Sequence, residues 1–205
     1  MLPVVGIVTK NKIIDNQKHQ LVSLPNLKYL NEVASTIGIL TYDNKINKEV
    51  IDLCNAIIFP GGSVIEPYYY DILEYAIKKH IPVLGICLGF QLICLYFNNN
   101  KNNILTEVIN HNLPDNQTHE VNIINNTFLS FHLPPKLNVN SRHKYQIIKI
   151  NNPLIISAYS NDNIIEAVEY ITKDNFILGL QWHPEDMDNM QTIYDMFLLR
   201  AKDNM

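Results

Sequence analysis

The first half of the chain alternates short apolar runs with helix-patterned segments four times, which predicts an α/β protein on a doubly wound, mostly parallel sheet with helices on both faces. Two turns sharpen that reading. Pro60-Gly61-Gly62 and the stretch from Gly85 to Gly89 each stop an apolar run abruptly, so both fall at carboxyl ends of predicted strands. Ligands of such sheets bind there. The second half has a different texture of closely spaced β-like runs, which predicts a mixed continuation of the sheet with hairpins. A single domain over residues 1–205 is expected.

The elements follow in order. Val4–Val8 is a short apolar run and reads as a first buried strand. Residues 11–25 are polar and suggest no element. Leu27, Leu30, Val33, Ala34 and Ile37 follow helical spacing, so a helix is expected over Leu27–Gly38 with Gly38 as its C-terminal cap. Ile39–Thr41 reads as a second strand, Asn47–Cys54 as a short helix and Ala56–Phe59 as a third strand. Tyr70–Lys79 is an amphipathic helix by pattern, Pro82–Ile86 the next strand and Gly89–Phe97 the helix after it. Beyond these, His119–Ile124, Phe128–Leu133, Gln146–Ile150, Ile155–Tyr159, Ile164–Tyr170 and Phe176–Trp182 are β-like, and Gln191–Ala201 is a closing helix.

Composition narrows the function. With 47% hydrophobic and 18% charged residues over 205 positions, the chain has the make-up of a globular domain. The net charge of −4 and the lack of a basic stripe argue against nucleic acid as a partner. No apolar run reaches the roughly 18 residues of a membrane span, and the N-terminus lacks the features of a secretory signal, so a cytoplasmic location is expected. Three cysteines without a C-x-x-C pair speak against a disulfide framework or a cysteine zinc site. No metal or cofactor is called for. The Asn-rich run 98–103 reads as tolerant surface.

The most informative stretch is Gly85-Ile86-Cys87-Leu88-Gly89-Phe90-Gln91. A buried strand runs straight into a helix with a cysteine at the corner and glycines two residues to either side. That is a nucleophile elbow, in which side chains at the flanking positions would clash. The corner sets the thiol at a helix N-terminus, where the dipole and free N–H groups favour the thiolate. The N–H of Leu88 points toward the same space as one oxyanion donor. With average residue usage, G-x-C-x-G-x-Q arises in roughly one random chain in a thousand. Cys94, two turns along the same helix, and Cys54 read as core.

The second signature is Gly179-Leu180-Gln181-Trp182-His183-Pro184-Glu185. An apolar strand delivers His183 to its end and Pro184 restrains the backbone after it. In an extended segment Glu185 falls on the same side as His183, so its carboxylate could hold one imidazole nitrogen while the other faces Cys87.

With GICLGFQ around Cys87, QWHPE around His183 and Glu185, and the Phe59-Pro60-Gly61-Gly62 loop, the chain resembles the class I glutamine amidotransferases, above all their γ-glutamyl hydrolase (peptidase C26) branch. Tyr29-Leu30, Val139-Asn140-Ser141-Arg142-His143 and Ile165-Glu166-Ala167-Val168-Glu169 extend the likeness over most of the chain. The resemblance implies a three-layer flavodoxin-like fold and a Cys87–His183–Glu185 triad. The thiolate would attack a γ-carbonyl, form a γ-glutamyl thioester and release an amine or ammonia. A backbone N–H of the Gly61-Gly62 loop, Gly62 above all, would be the second oxyanion donor, with Gly61 beside the substrate. Gln91, Ser141, Arg142 and His143 would hold the α-amino and α-carboxylate groups. The partner implied is a small γ-glutamyl compound or glutamine. A homodimer, a separate synthase partner or a catalytically silent binding module of the same fold stays open. The chain departs from the family's pattern in the Asn-rich run 98–103, in Lys144-Tyr145-Gln146 and in a short segment between residues 9 and 27, which bear on the leaving group.

Overall fold

A computed structural model describes residues 1–99 and 101–205, without the side chain of Asn102. The part of the Asn-rich run at residues 100 and 102 thus lies outside the described residues. A nine-stranded sheet forms the centre. Five strands are mutually parallel, in the order β4 (Ser35–Ile39), β1 (Val4–Val8), β5 (Ala56–Phe59), β6 (Val83–Ile86) and β13 (Phe176–Leu180). Four more continue it antiparallel: β12 (Ile165–Ile171), β11 (Ile155–Ser160), β8 (Thr118–Ile123) and β9 (Lys136–Asn140). The antiparallel continuation therefore carries nearly half of the strands.

Side chains alternate across the parallel strands because the strand period is two. Ala56, Ile58, Leu84, Ile86, Leu178 and Leu180 face one core, with Ile193, Tyr194 and Phe197 of helix α4 (Gln191–Asp203). Ile57, Phe59, Val83 and Ile177 face the other. That second face is covered by α1 (Lys48–Asp52), α2 (Pro67–Lys78) and α3 (Leu88–Phe97). Strands buried on both faces read as continuous apolar runs, which is why Ala56–Phe59 stood out in the sequence. Helix α1 begins where Asn47 accepts hydrogen bonds from the N–H groups of Glu49 and Val50. The α/β, doubly wound architecture is the one expected. Among the described residues, no helix is long and apolar enough to cross a membrane.

Four local expectations are corrected. No helix forms over Leu27–Gly38. Residues 27–34 make a series of turns, and Glu32 has a positive φ of 68° that no helix interior accepts. The helical spacing arises because these turns press Leu27, Leu30 and Ala34 onto the core. The second strand is Ser35–Ile39, drawn beside β1 as the sheet edge, so Gly38 lies in a strand. The polar segment after β1 folds into a hairpin of β2 (Lys10–Ile14) and β3 (Gln17–Leu21). Its two-residue turn, Asp15-Asn16, has φ of 49° and 61°, the geometry such tight hairpins favour. Phe128–Leu133 is a 3-10 turn and not a strand. Its N–H groups at Phe128 and Leu129 donate to the Glu169 carboxylate, at 2.6 and 3.3 Å. A short pair, β7 (Leu105–Glu107) with β10 (Tyr145–Ile147), lies apart from the main sheet. Asn98 is buried, with its amide donating to the Cys94 carbonyl at 2.8 Å, so the Asn-rich run is not surface throughout.

Candidate active site at the carboxyl ends of the parallel strands

Strand β6 ends at Ile86, and Cys87 makes the corner into α3. Its N–H donates to the Leu180 carbonyl of β13 at 2.8 Å, which joins the elbow to the strand that carries the histidine. Its backbone has φ 50° and ψ −96°, a conformation a non-glycine residue adopts only at a cost of about 1–3 kcal/mol. Such strain persists when the surroundings enforce it. A Cβ on Gly85 would come within 2.6 Å of the Gly89 carbonyl, and one on Gly89 within 2.2 Å of the Phe59 carbonyl oxygen. Both glycines are therefore required by close approach of strand, helix and the neighbouring β5.

The Phe59-Pro60-Gly61-Gly62 loop leaves β5 beside this corner. A Cβ on Gly61 would lie 2.4 Å from the His183 ring, and one on Gly62 3.0 Å from Leu88. The loop thus passes close to both histidine and elbow. Lys10 Nζ donates to the Gly61 carbonyl at 3.4 Å.

His183 follows β13 after the fully buried Trp182. Its ring Nδ1 lies 2.8 Å from Glu185 Oε1, and Glu185 is 4% exposed. The segment is not extended: Pro184–Asp186 is a 3-10 turn that curls the carboxylate back under the ring. Asn140, at the end of β9, fixes the backbone. Its side-chain oxygen accepts from the His183 N–H at 2.8 Å, and its amide donates to the His183 carbonyl at 2.9 Å. Burial disfavours the charged imidazole, but the Cys87 thiol and Glu185 carboxylate beside it outweigh that and raise the His183 pKa to about 9. By contrast, burial pushes the thiol of Cys54 up to about 11 and raises that of Cys94 as well, which leaves both unreactive.

A cavity of about 400 Å³ opens over this group, lined among others by Cys87, His183, Gly61, Gly62, Lys10 and Arg142. Of the residues expected to hold substrate, Gly61 and Arg142 face it. Arg142 is also paired with the Asp186 carboxylate. Gln91, Ser141 and His143 do not line it. Gln91 is buried and its amide donates to Gln181 Oε1 at 3.2 Å, tying α3 to the residue after β13. Ser141 and His143 alternate with Arg142 and turn inward: the Ser141 hydroxyl donates to the His111 carbonyl at 2.7 Å, and the His143 ring is buried. Alternation along an extended segment admits only one of the two sets to the cavity. Asn140, Lys10 and Asp186 were not anticipated. Asn140 and Asp186 flank recognised signatures, but no local pattern marks them.

A cysteine on a strained elbow, with an oriented histidine and a glycine loop beside it, belongs with the class I glutamine amidotransferase fold. The crystal structure of a GMP synthase glutaminase-type protein from Thermoplasma acidophilum superposes with a TM-score of 0.73 over 99% of this chain and 96% of that one, at 19% identity. The chain belongs to the peptidase C26 family, whose pattern matches residues 70–185. It is 34% identical to a subunit of the glutamine-hydrolysing GMP synthase of Methanobrevibacter smithii, over 69% of this chain and 70% of the relative. It is 29% identical to a γ-glutamyl-CDP-amidate hydrolase of Campylobacter jejuni, over 72% of each.

Proposed function

We propose that the chain hydrolyses a γ-glutamyl amide bond with Cys87 as nucleophile, His183 as acid and base, and Glu185 as the group that orients His183. The observation that carries this is the convergence of Cys87, on its strained corner, with His183 and the Glu185 carboxylate 2.8 Å from His183 Nδ1, at one cavity. With Nδ1 engaged, Nε2 is the nitrogen left for the thiol. The Cys87 sulfur attacks the γ-carbonyl carbon, and the oxyanion is received by the N–H groups of Leu88 and Gly62. The C–N bond then breaks as His183 gives its proton to the departing amine. A water adds to the γ-glutamyl thioester while His183 takes its proton; the C–S bond breaks and glutamate leaves. A preformed oxyanion donor contributes about 10²–10³ in turnover.

Membership of the peptidase C26 family and likeness to a γ-glutamyl-CDP-amidate hydrolase support the hydrolase reading. The GMP synthase relative favours a second one, a glutaminase component that passes ammonia to a separate synthase chain. Glutamate release from glutamine and a panel of γ-glutamyl amines by the isolated chain, with Cys87→Ala as control, distinguishes them. Rapid turnover of one γ-glutamyl amine establishes the hydrolase. Silence on the panel, with Cys87 still alkylated by a glutamine-like electrophile, favours the glutaminase component. Equal turnover by wild type and Cys87→Ala refutes both.

A further inference from the structure

A second, closed group of ionisable side chains lies in the antiparallel part of the fold, outside the cavity. His111 precedes β8, His119 lies on it, His143 follows β9 and Glu166 is on β12. Glu166 is fully buried, and neither of its carboxylate oxygens has a hydrogen-bond partner among the described residues. Its Oε1 lies 3.4 Å from His111 Nδ1, 3.6 Å from His143 Nε2 and 3.7 Å from His119 Nε2. His111 Nδ1 and His143 Nε2 are themselves 3.1 Å apart.

The far side of each ring dictates what the near side holds. His143 Nδ1 lies 2.9 Å from the Tyr145 carbonyl, which only accepts, so Nδ1 carries hydrogen and Nε2 a lone pair. His111 Nε2 lies 3.0 Å from Asp162 Oδ2 and donates to it, which leaves a lone pair on Nδ1. The Ser141 hydroxyl, 3.4 Å from that Nδ1, already donates to the His111 carbonyl at 2.7 Å. Two imidazole lone pairs and a carboxylate oxygen thus converge on one point with no donor between them.

We propose that His111 Nδ1, His143 Nε2 and Glu166 Oε1 bind a zinc-type divalent ion, with His119 placed to close the site. Tetrahedral coordination at bond lengths of about 2.0–2.2 Å sets ligand atoms about 3.2–3.6 Å apart, which matches the spacing of 3.1, 3.4 and 3.6 Å here. Two imidazoles favour zinc over the oxygen-seeking magnesium and calcium ions. Asp162 and the Tyr145 carbonyl stand behind the two rings as outer partners that fix each tautomer. The site is sealed, so its role is structural: it anchors the segment whose first residue, Asn140, holds His183 in place.

The test is metal content of the full chain, stripped with a chelator and titrated with Zn²⁺ or Mg²⁺ alone. About one zinc and no magnesium per chain is expected, unchanged in Cys87→Ala and lost in His143→Ala. Asp162→Asn alters a side chain that is 59% exposed, so the fold stays intact; zinc affinity should fall about 10–100-fold. No zinc uptake, uptake that disappears with Cys87→Ala, or affinity unchanged by Asp162→Asn each overturns the site. In the first case a proton shared between the two imidazoles holds them together instead.

Discussion

Two histidine–carboxylate groupings lie on either side of the segment Asn140–His143, and they use the same chemistry to opposite ends. At the cavity, His183 gives one nitrogen to Glu185, while its other edge meets Cys87 and the Gly61 loop. In the antiparallel part, His111 and His143 give their outer nitrogens to Asp162 and a carbonyl, and their inner ones face each other and Glu166. The first grouping keeps one position open to a cavity and can exchange a proton with something that enters. The second is closed on every side and can only hold. Open and closed coordination distinguish catalytic from structural metal sites in the same way.

If the division is sound, substitutions at the open grouping remove turnover without unfolding the chain. Cys87→Ala should cut turnover on the order of 10⁵–10⁶-fold, and His183→Ala nearly as much, because nucleophile and base act as one unit. Far-ultraviolet circular dichroism should be unchanged in both. Residual activity near the wild-type level in either would move the chemistry elsewhere. Glu185→Gln should cost roughly 10⁴-fold, since the carboxylate orients the ring and moves no proton itself. A loss as large as that of Cys87→Ala would give Glu185 a direct role.

The open grouping was legible because it is local. Cys87 announces itself through two glycines within two residues, and His183 and Glu185 are separated by one proline. Strands β5, β6 and β13 were legible too, since burial on both faces leaves nothing but apolar residues. The closed grouping draws on positions 111, 119, 143 and 166, which only strand pairing across the antiparallel part brings together. Asn140 reaches His183 across 43 residues for the same reason. Within residues 27–38, helical spacing misled because successive turns can face one core at that same spacing. Glu32, with its positive φ, leaves no mark a propensity scale would register. Ser141, Arg142 and His143 were recognised as a stretch, but which of them faces the cavity depends on a backbone direction the stretch does not encode.

Arg142 tests that last point. It alone of the three faces the cavity, with its guanidinium on Asp186. As a recognition group for a substrate carboxylate it would contribute about 1.5–3 kcal/mol, so Arg142→Ala should raise KM about 10–100-fold, with kcat changed far less. Ser141→Ala should leave KM near the wild-type value, because its hydroxyl is occupied by the His111 carbonyl. Equal effects from the two substitutions would erase the distinction between the outward and inward sides of this segment.

The smallest effect is on a proton. His183 has its pKa raised to about 9, burial notwithstanding, because the Cys87 sulfur and the Glu185 carboxylate both favour its charged form. The ring therefore keeps its proton through neutral pH and gives it up as the pH rises through that value. Protonation of a departing amine needs the imidazolium, so kcat should hold through neutral pH and fall on the alkaline side near pH 9. Cys87→Ala removes one of the two groups that raise the pKa and leaves Glu185 in place. Its His183 should titrate below about 9, followed by the ring proton and nitrogen shifts in NMR. If the titration stays near 9 without the sulfur, Glu185 alone sustains the charge, and the sulfur and the ring do not share a proton.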